Sequence, residues 1–104
     1  MKTSELSGAQ LDWAVAKAEG VICAPYKSVV VDEWCNPLVY HDDWGLAGYI
    51  IEREGIALYL YGNGEWNAHT GGKEFNGTTP LIAAMRCYVA SKLGDEVQIP
   101  EELK

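Results

Sequence analysis

The clearest pattern of apolar positions runs through residues 80–93 and predicts an α-helix. Leu81, Met85 and Tyr88 recur at intervals of three or four residues, which places them on one face of a helix. A threonine that can cap the helix comes first, and Pro80 suits the first helical position, where a missing N–H costs nothing. A glycine follows and can end the helix. So broad an apolar face must pack on another element, and we expect a sheet.

A second helix is predicted for residues 7–19. Ser7 and Gln10 have the spacing of a capping box, in which the serine side chain bonds forward and the glutamine side chain reaches back. Leu6 and Leu11 are spaced as the hydrophobic staple that accompanies such a start. Small apolar residues then form a narrow stripe up to a glycine that ends the helix.

Residues 56–61 predict the central strand of a sheet. A Gly-Asn-Gly turn at 62–64 favours a hairpin with a return strand at 65–69, because asparagine and glycine tolerate positive φ. With the Asn-Gly pair as the turn centre, Tyr59 lies opposite Ala68. Both faces of the first strand are apolar or aromatic, which is typical of a strand covered on both sides. We expect one helix on each face. The alternative places both helices on one face and leaves the aromatic face for a second subunit.

The remaining segments have weaker patterns. Residues 48–54 are interpreted as a further strand that ends at Gly55. The β-branched run 28–32 is interpreted as one short strand within a loop that spans 21–43. Residues 70–78, rich in glycine, asparagine and threonine, are predicted to form a flexible loop.

These elements predict an α+β fold, with a small antiparallel sheet centred on the hairpin and a helix on either side, as a helix–sheet–helix sandwich. The chain has 104 residues, which is enough for one hydrophobic core and too few for two. We therefore expect residues 1–104 to form a single domain. With 48% apolar and 22% charged residues, the composition is that of an ordinary globular protein.

The formal net charge of −7 disfavours two classes of function. A nucleic-acid-binding protein needs a basic face to neutralise phosphates, so we expect no direct binding to nucleic acid. Docking on an anionic membrane is disfavoured for the same electrostatic reason. An acidic surface allows a basic partner or imitation of nucleic acid, although its simplest role is solubility. The carboxylates that could form such a mimic are Asp32, Glu33, Asp42, Asp43, Glu52 and Glu54.

Three cysteines, Cys23, Cys35 and Cys87, occur without a close pair. This odd number, with a polar N-terminus and no long apolar run, predicts reduced thiols and a cytoplasmic protein. Cys87 falls in the middle of a predicted helix beside Arg86, and we interpret it as a structural thiol because reactive thiols usually lie at a helix N-terminus or beside a base. Arg86 is expected to pair with a carboxylate in the segment 48–54.

The chain contains no evident catalytic or metal-ligating constellation. Its cysteines and two histidines lack the spacing of a zinc site, and its glycines match no phosphate-binding loop. His41, Asp42 and Asp43 resemble part of a metal-dependent phosphohydrolase, but the further histidines of that class are missing, so a polar loop is the better interpretation. We expect no metal and no cofactor, and favour a non-enzymatic role. The alternative is a small enzyme or a nucleotide- or ligand-binding protein with a site in the 21–45 loop.

Aromatic residues are the remaining feature, with four tryptophans and six tyrosines in the chain. Aromatic side chains dominate binding hot spots as well as cores, and four indoles do not all fit easily into one small core. Trp44, which follows Asp43 in a predicted loop, is expected to be exposed. We select Trp44, Trp66 and Arg53 as candidate partner-binding residues, with an unknown protein as the partner. Self-association is a variant of the same hypothesis.

Five stretches of the chain form recognisable motifs: Leu11-Asp-Trp-Ala-Val-Ala-Lys-Ala-Glu-Gly20, Asp43-Trp44, Ile50-Ile-Glu-Arg-Glu54, Trp66-x-Ala68 and the long closing motif from Thr79 to Val97. Together they resemble the NinX-like family of small proteins encoded by lambdoid phages and enterobacterial prophages. Residues 21–42 do not contribute to the resemblance.

The resemblance implies a phage or prophage origin, residence in the cytoplasm of the bacterial host, and an accessory role. It implies no particular activity and supplies no catalytic residues. The Trp-x-Ala strand followed by a Thr-Pro helix also resembles a wider group of small phage domains that are built as a helix–sheet–helix sandwich.

Overall fold

The computed structural model describes the whole chain from Met1 to Lys104. Its helices are α1 (Gly8–Glu19), α2 (Trp44–Glu54) and α3 (Pro80–Leu93), and its strands are β1 (Cys23–Tyr26), β2 (Val29–Asp32), β3 (Ala57–Leu60), β4 (Trp66–Thr70) and β5 (Lys73–Gly77). The strands form two antiparallel sheets, β1–β2 and β3–β4–β5. The predicted α+β class is therefore confirmed. None of the helices has the length and apolar character needed to cross a membrane.

Both predicted helices are present, but only one is capped as expected. At the start of α3, the Thr79 hydroxyl accepts the backbone N–H of Ile82 at 3.2 Å. At the start of α1, Ser7 has the extended backbone of a capping residue, but its side chain makes no cap hydrogen bond. Gln10 instead donates through Nε2 to the carbonyl of Leu103 at 3.0 Å. The predicted capping box is wrong because Gln10 uses its amide to hold the C-terminal segment.

Residues 48–54 belong to helix α2 and do not form the predicted strand. Asp43 begins the helix, since its side chain accepts the backbone N–H two residues further on at 2.8 Å. Gly55 ends it in the left-handed conformation, with φ of 65°. Ala47 and Ile50 are fully buried at helical spacing. This period and the two caps outweigh the β-branched residues that suggested a strand.

Strands β3 and β4 form the predicted hairpin, with a register that differs by one residue. Tyr59 lies opposite Asn67, not Ala68 as predicted. The difference arises because the backbone N–H of Tyr61 bonds to the carbonyl of Glu65 at 2.9 Å, which leaves a three-residue loop between them. A shift of one residue changes which side chains share a face of the sheet.

Residues 70–78, predicted to be a flexible loop, contain strand β5. Thr70 pairs with Lys73 across a two-residue turn. The turn residues Gly71 and Gly72 have φ of 52° and 81°, which are the positive values that a type I′ hairpin turn requires at both central positions. The glycines therefore join two strands and do not break the sheet.

Residues 21–43 contain two paired strands where one strand within a loop was predicted. Strand β1 pairs with β2 through Tyr26 and Val29, and Lys27 adopts φ of 57° in the turn between them. Pro25 lies inside β1, a position that proline tolerates only in an edge strand or bulge. Because proline is typical of turns and loops, the sequence does not predict a strand at this position.

Helix α3 is the central layer of the fold. Most of its residues are buried, and it packs against all three strands of the β3–β4–β5 sheet as well as against α1 and α2. No helix covers the other face of this sheet, where Tyr59, His69 and Glu74 are exposed. The order of layers therefore differs from the predicted helix–sheet–helix sandwich and follows the alternative, with the helices on one side. A Cβ at Gly77 would lie 2.6 Å from the backbone nitrogen of Ala83, which shows how closely β5 approaches α3.

Candidate functional site

The outward surface of α2 presents two exposed aromatic side chains beside a glycine. Trp44 and Tyr49 are each 55% exposed, whereas Ala47 and Ile50 on the inner side of the helix are buried. Gly48 lies one helical turn after Trp44 and on the same side. The predicted exposure of Trp44 is thus confirmed, although this residue begins a helix and does not lie in a loop. Trp44 and Tyr49 are five residues apart and point about 140° from each other around the helix axis, with Gly48 between them in angle. We call Trp44, Gly48 and Tyr49 together the aromatic face of α2.

The two glycines of α2 have different structural requirements. A Cβ at Gly45 would lie 3.0 Å from the Asp43 Oδ1 atom that caps the helix, so the cap favours glycine there. At Gly48 the nearest atom to a Cβ would be a ring carbon of Trp44 at 4.0 Å, which is ordinary contact. Glycine within a helix costs about 1 kcal/mol relative to alanine. The packing of the chain therefore does not require a glycine at position 48. The absence of a side chain there leaves a shallow depression beside the Trp44 indole.

Acidic side chains surround the aromatic face. Asp42 and Asp43 precede Trp44, Glu52 lies one turn beyond Gly48, and all three carboxylate residues are exposed. One oxygen of Asp43 accepts the helix-capping bond, while Asp42 and Glu52 form no ion pair within the chain. The arrangement is an apolar centre with a negatively charged rim.

Arg53, the candidate at the end of α2, connects the three helices. Its Nη2 atom lies 2.6 Å from Glu19 Oε2 on α1 and 3.3 Å from the hydroxyl of Tyr88 on α3, and its Nε donates to Glu54 at 2.9 Å. The Tyr88 hydroxyl also donates to Glu19. Hydrogen bonding to Arg53 holds the pKa of Glu19 below its usual range. The Arg53 side chain is still 45% exposed, but much of its hydrogen-bonding capacity is used internally.

The three candidate residues do not form one surface. Trp44 and Arg53 lie at opposite ends of α2 and, being nine residues apart, on opposite faces of the helix. Trp66 lies in β4, half-buried and packed against the core. Of the three, Trp44 alone belongs to the aromatic face of α2.

His41, Asp42 and Asp43 do not converge on a pocket in the 21–45 segment. His41 is turned to the buried Asp12 of α1, whose two oxygens lie 2.9 and 2.8 Å from the imidazole Nδ1. Asp12 Oδ1 also accepts the backbone N–H of His41 at 2.8 Å. Burial raises the pKa of the Asp12 carboxyl against the opposing effect of these hydrogen bonds. Asp42 and Asp43 are exposed, and the His41–Asp12 pair joins this segment to α1.

Trp34 is the most exposed tryptophan, at 74%, and was not among the candidates. It lies in a tight turn in which Asp32 Oδ1 accepts the backbone N–H groups of Trp34 and Asn36 at 2.9 and 2.8 Å. Cys35 follows with φ of 64°. The sequence signal for this turn is an aspartate followed by Asn-Pro, which could have placed Trp34 at a surface.

The expected ion pair between Arg86 and Glu52 or Glu54 is wrong. The Arg86 guanidinium donates from Nε to the carbonyl of Leu6 at 2.8 Å and from Nη1 to the carbonyl of Asn76 at 2.9 Å. Arg86 projects from α3 towards β5 and the N-terminal segment, whereas the two glutamates lie on α2. The error arises because residues 48–54 belong to helix α2 and do not form the predicted strand.

The cysteines and histidines are dispersed in the fold. No group of three histidine, cysteine, aspartate or glutamate side chains is placed to hold a metal ion. Cys87 is buried in α3, near the Lys73 carbonyl at 3.6 Å, and burial raises the pKa of its thiol. Cys35 is exposed in the Trp34 turn, and Cys23 is half-buried in β1.

The chain matches the family model described as "Bacteriophage P22, NinX" over residues 2–92. The matched range includes residues 21–42, which did not contribute to the resemblance seen in the sequence. No curated protein matches the chain. The match identifies a phage family and assigns no activity to the aromatic face of α2 or to any other surface.

Proposed function

This chain belongs to the phage NinX family, and we propose that it is an accessory protein that acts by binding a host or phage protein through the aromatic face of α2. The observation that supports this most directly is the exposure of Trp44 and Tyr49, each 55%, on either side of Gly48. Tryptophan and tyrosine are the residue types most enriched at binding hot spots.

Gly48 is the second support for the proposal. An alanine would fit there without a close contact, and it would stabilise the helix. A glycine at such a position lets another backbone approach the helix more closely than a side chain would allow. The partner would then approach the helix backbone at Gly48, beside the Trp44 indole.

The partner expected at this face has an apolar pocket with a basic rim. The rings of Trp44 and Tyr49 supply the apolar centre, and Asp42 and Glu52 supply free carboxylates at its edge. The chain's net charge of −7 favours the same kind of partner at long range. Charge complementarity of this type raises the association rate, and salt lowers it by screening.

Arg53 and Trp66 have indirect roles in this proposal. Arg53 holds the end of α2 against α1 and α3 through Glu19 and Tyr88. Trp66 is half-buried in β4 and packs against the core. Direct contact of either residue with a partner stays a prediction.

The test begins with a tagged pull-down from nuclease-treated, phage-infected cells, followed by mass spectrometry. Captured proteins are then purified and titrated with the chain by calorimetry. We expect Trp44→Ala to weaken binding by roughly thirtyfold or more, as loss of a hot-spot aromatic does. Trp34→Ala is the matched control, because the Trp34 indole is still more exposed and lies in the turn that follows β2, outside α2.

Gly48→Ala provides the second arm of the test. It should raise the stability of the free chain by roughly 1 kcal/mol and still weaken partner binding, because the new methyl group occupies the place beside the Trp44 indole that the partner would contact. Equal binding by the parent chain, Trp44→Ala and Gly48→Ala would refute the proposal. If the captured protein is a second copy of the chain, the face mediates self-association and the proposal of a heterologous partner fails.

A further inference from the structure

A groove runs along the free edge of β5, on a part of the surface built from other elements than α2. It is lined by Ser4, Glu74, Phe75, Asn76 and Arg86. One wall is β5 and the other is the N-terminal segment around the 3-10 turn Thr3–Glu5. Arg86 joins the walls, since its guanidinium donates to the carbonyl of Leu6 on one side and of Asn76 on the other.

Arg86 is a cation without a carboxylate partner in an acidic protein. No aspartate or glutamate oxygen lies within ion-pair distance of its guanidinium, although the chain has 15 such residues. Its two hydrogen bonds use Nε and Nη1 and leave the Nη2 protons without a protein acceptor. Nη2 is accessible to solvent, and Arg86 is one of the residues that line the groove. Partial burial lowers the pKa of Arg86, which means that a carboxylate placed there would relieve an uncompensated charge.

The edge of β5 offers backbone groups to the same groove. Residues along an antiparallel strand alternate between bonding to the neighbouring strand and pointing away from it. Thr70 and Lys73 close the two-residue turn as a hydrogen-bonded pair, so Phe75 bonds inward to β4 while Glu74 and Asn76 point outward. The Asn76 carbonyl is taken by Arg86. The outward N–H groups of Glu74 and Asn76 have no partner in the fold.

We propose that this groove binds an extended segment of a partner protein, which adds to β5 as a further strand and places a carboxylate on Arg86. The N–H groups of Glu74 and Asn76 and the outward carbonyl of Glu74 supply the strand pairing. The free Nη2 supplies a charge-assisted bond to an aspartate, a glutamate or a C-terminal carboxylate. The Glu74 carboxylate does not block this charge, because it is held 2.7 Å from His69 Nε2. The site is independent of the aromatic face of α2. It prefers an acidic ligand, whereas that face prefers a basic partner.

The probe is the synthetic peptide acetyl-Thr-Val-Asp-Val-Thr-amide, compared with the same peptide in which asparagine replaces aspartate. Titration of the isotope-labelled protein is followed by nuclear magnetic resonance. We expect progressive shifts of the Glu74 and Asn76 backbone amides and of Arg86 Nε. The aspartate peptide should bind about tenfold more tightly than the asparagine peptide, as expected for a hydrogen bond to a charged group, and Arg86→Gln should abolish this difference.

Arg86 also donates to two backbone carbonyls, so Arg86→Gln can disturb the fold. A second pair of variants therefore tests the proposal without changing Arg86. Glu74→Pro removes an outward N–H without breaking the β4–β5 ladder, and Glu74→Gln removes the same carboxylate but keeps that N–H. Peptide binding should be lost in Glu74→Pro and retained in Glu74→Gln. Equal binding by these two variants, equal affinity for the two peptides, or shifts confined to other surfaces would overturn the proposal. Concentration-dependent shifts at β5 without peptide would overturn it as well, since the occupant would then be a second copy of the chain.

Discussion

The substitution His41→Ala tests how far the buried carboxylate of Asp12 depends on the imidazole. Asp12 is only 3% exposed and receives two kinds of hydrogen bond, from the His41 backbone N–H and from its Nδ1. Alanine keeps the backbone donor and removes the side-chain donor. The carboxylate would then remain buried with one partner instead of two.

The expected cost follows from the burial of the two partners. A hydrogen bond to a charged group contributes about 1.5–3 kcal/mol, and breaking a buried ion pair costs about 3–5 kcal/mol. The His41 side chain is 28% exposed, so water can partly replace the imidazole, and we place the loss near the lower range, about 2 kcal/mol. In a chain of this size such a loss lowers the melting temperature by roughly 10 °C.

The assay is urea denaturation at neutral pH, followed by circular dichroism and tryptophan fluorescence. A second variant separates the charge from the packing: Asp12→Asn combined with His41→Ala replaces the buried carboxylate by a neutral amide. Burial already raises the pKa of Asp12, so its charge is costly there, and the double variant should be more stable than His41→Ala alone. A loss below about 0.5 kcal/mol for His41→Ala, the size of an ordinary surface substitution, would refute this reasoning. A double variant less stable than the single one would do the same.

Three further predictions concern the packing, the pH response and the thiols. Gly77→Ala should destabilise the fold by about 1–3 kcal/mol in thermal melts, because its Cβ would meet the backbone of α3 at 2.6 Å. Hydrogen bonding to Arg53 lowers the pKa of Glu19 from its usual 4.5. Ionised Glu19 therefore contributes fully to the stability of the fold above that value, and this stability is lost as the pH falls through the lowered pKa of the folded state. Glu19→Gln should remove this part of the acid dependence, measured as unfolding free energy against pH. In thiol labelling with an aromatic disulfide, exposed Cys35 should react at once and buried Cys87 only on unfolding.

The elements that the sequence predicts correctly are those whose signals lie within the element itself. Helix α3 has its cap, its N-terminal proline and its apolar face in consecutive residues, and its predicted bounds agree with Pro80–Leu93. The hairpin of β3 and β4 is also local, but its register depends on whether the turn has two or three residues. The Gly-Asn-Gly sequence fits either length, and the Tyr61–Glu65 pairing decides it.

The wrong predictions arise where the same residue type is compatible with two different local structures. Glycines at 71 and 72 suit a flexible loop or a type I′ turn, and only the pairing of the flanking strands distinguishes these. Helix α2 contains Gly45 and Gly48, which are poor helix formers, and its adjacent isoleucines favour strands. The Asp43 cap was the available signal for a helix. The His41–Asp12 pair and the Arg86 groove join residues far apart in the chain, so no local pattern could predict them.

The two proposed binding surfaces share α3 as a support, since both α2 and β5 pack against it, and this permits a last prediction about their coupling. Ligands at two sites influence each other only if each shifts the fold between arrangements with different affinities. A different position of α3 would expose side chains such as Leu81, Met85 and Val89, which are buried, at about 1.5–3 kcal/mol each. That cost exceeds what a short peptide at the β5 edge can supply. A partner bound to the aromatic face of α2 should therefore have the same affinity, within about threefold, with and without saturating peptide. A larger change in calorimetric titrations would show that α3 has a second accessible position.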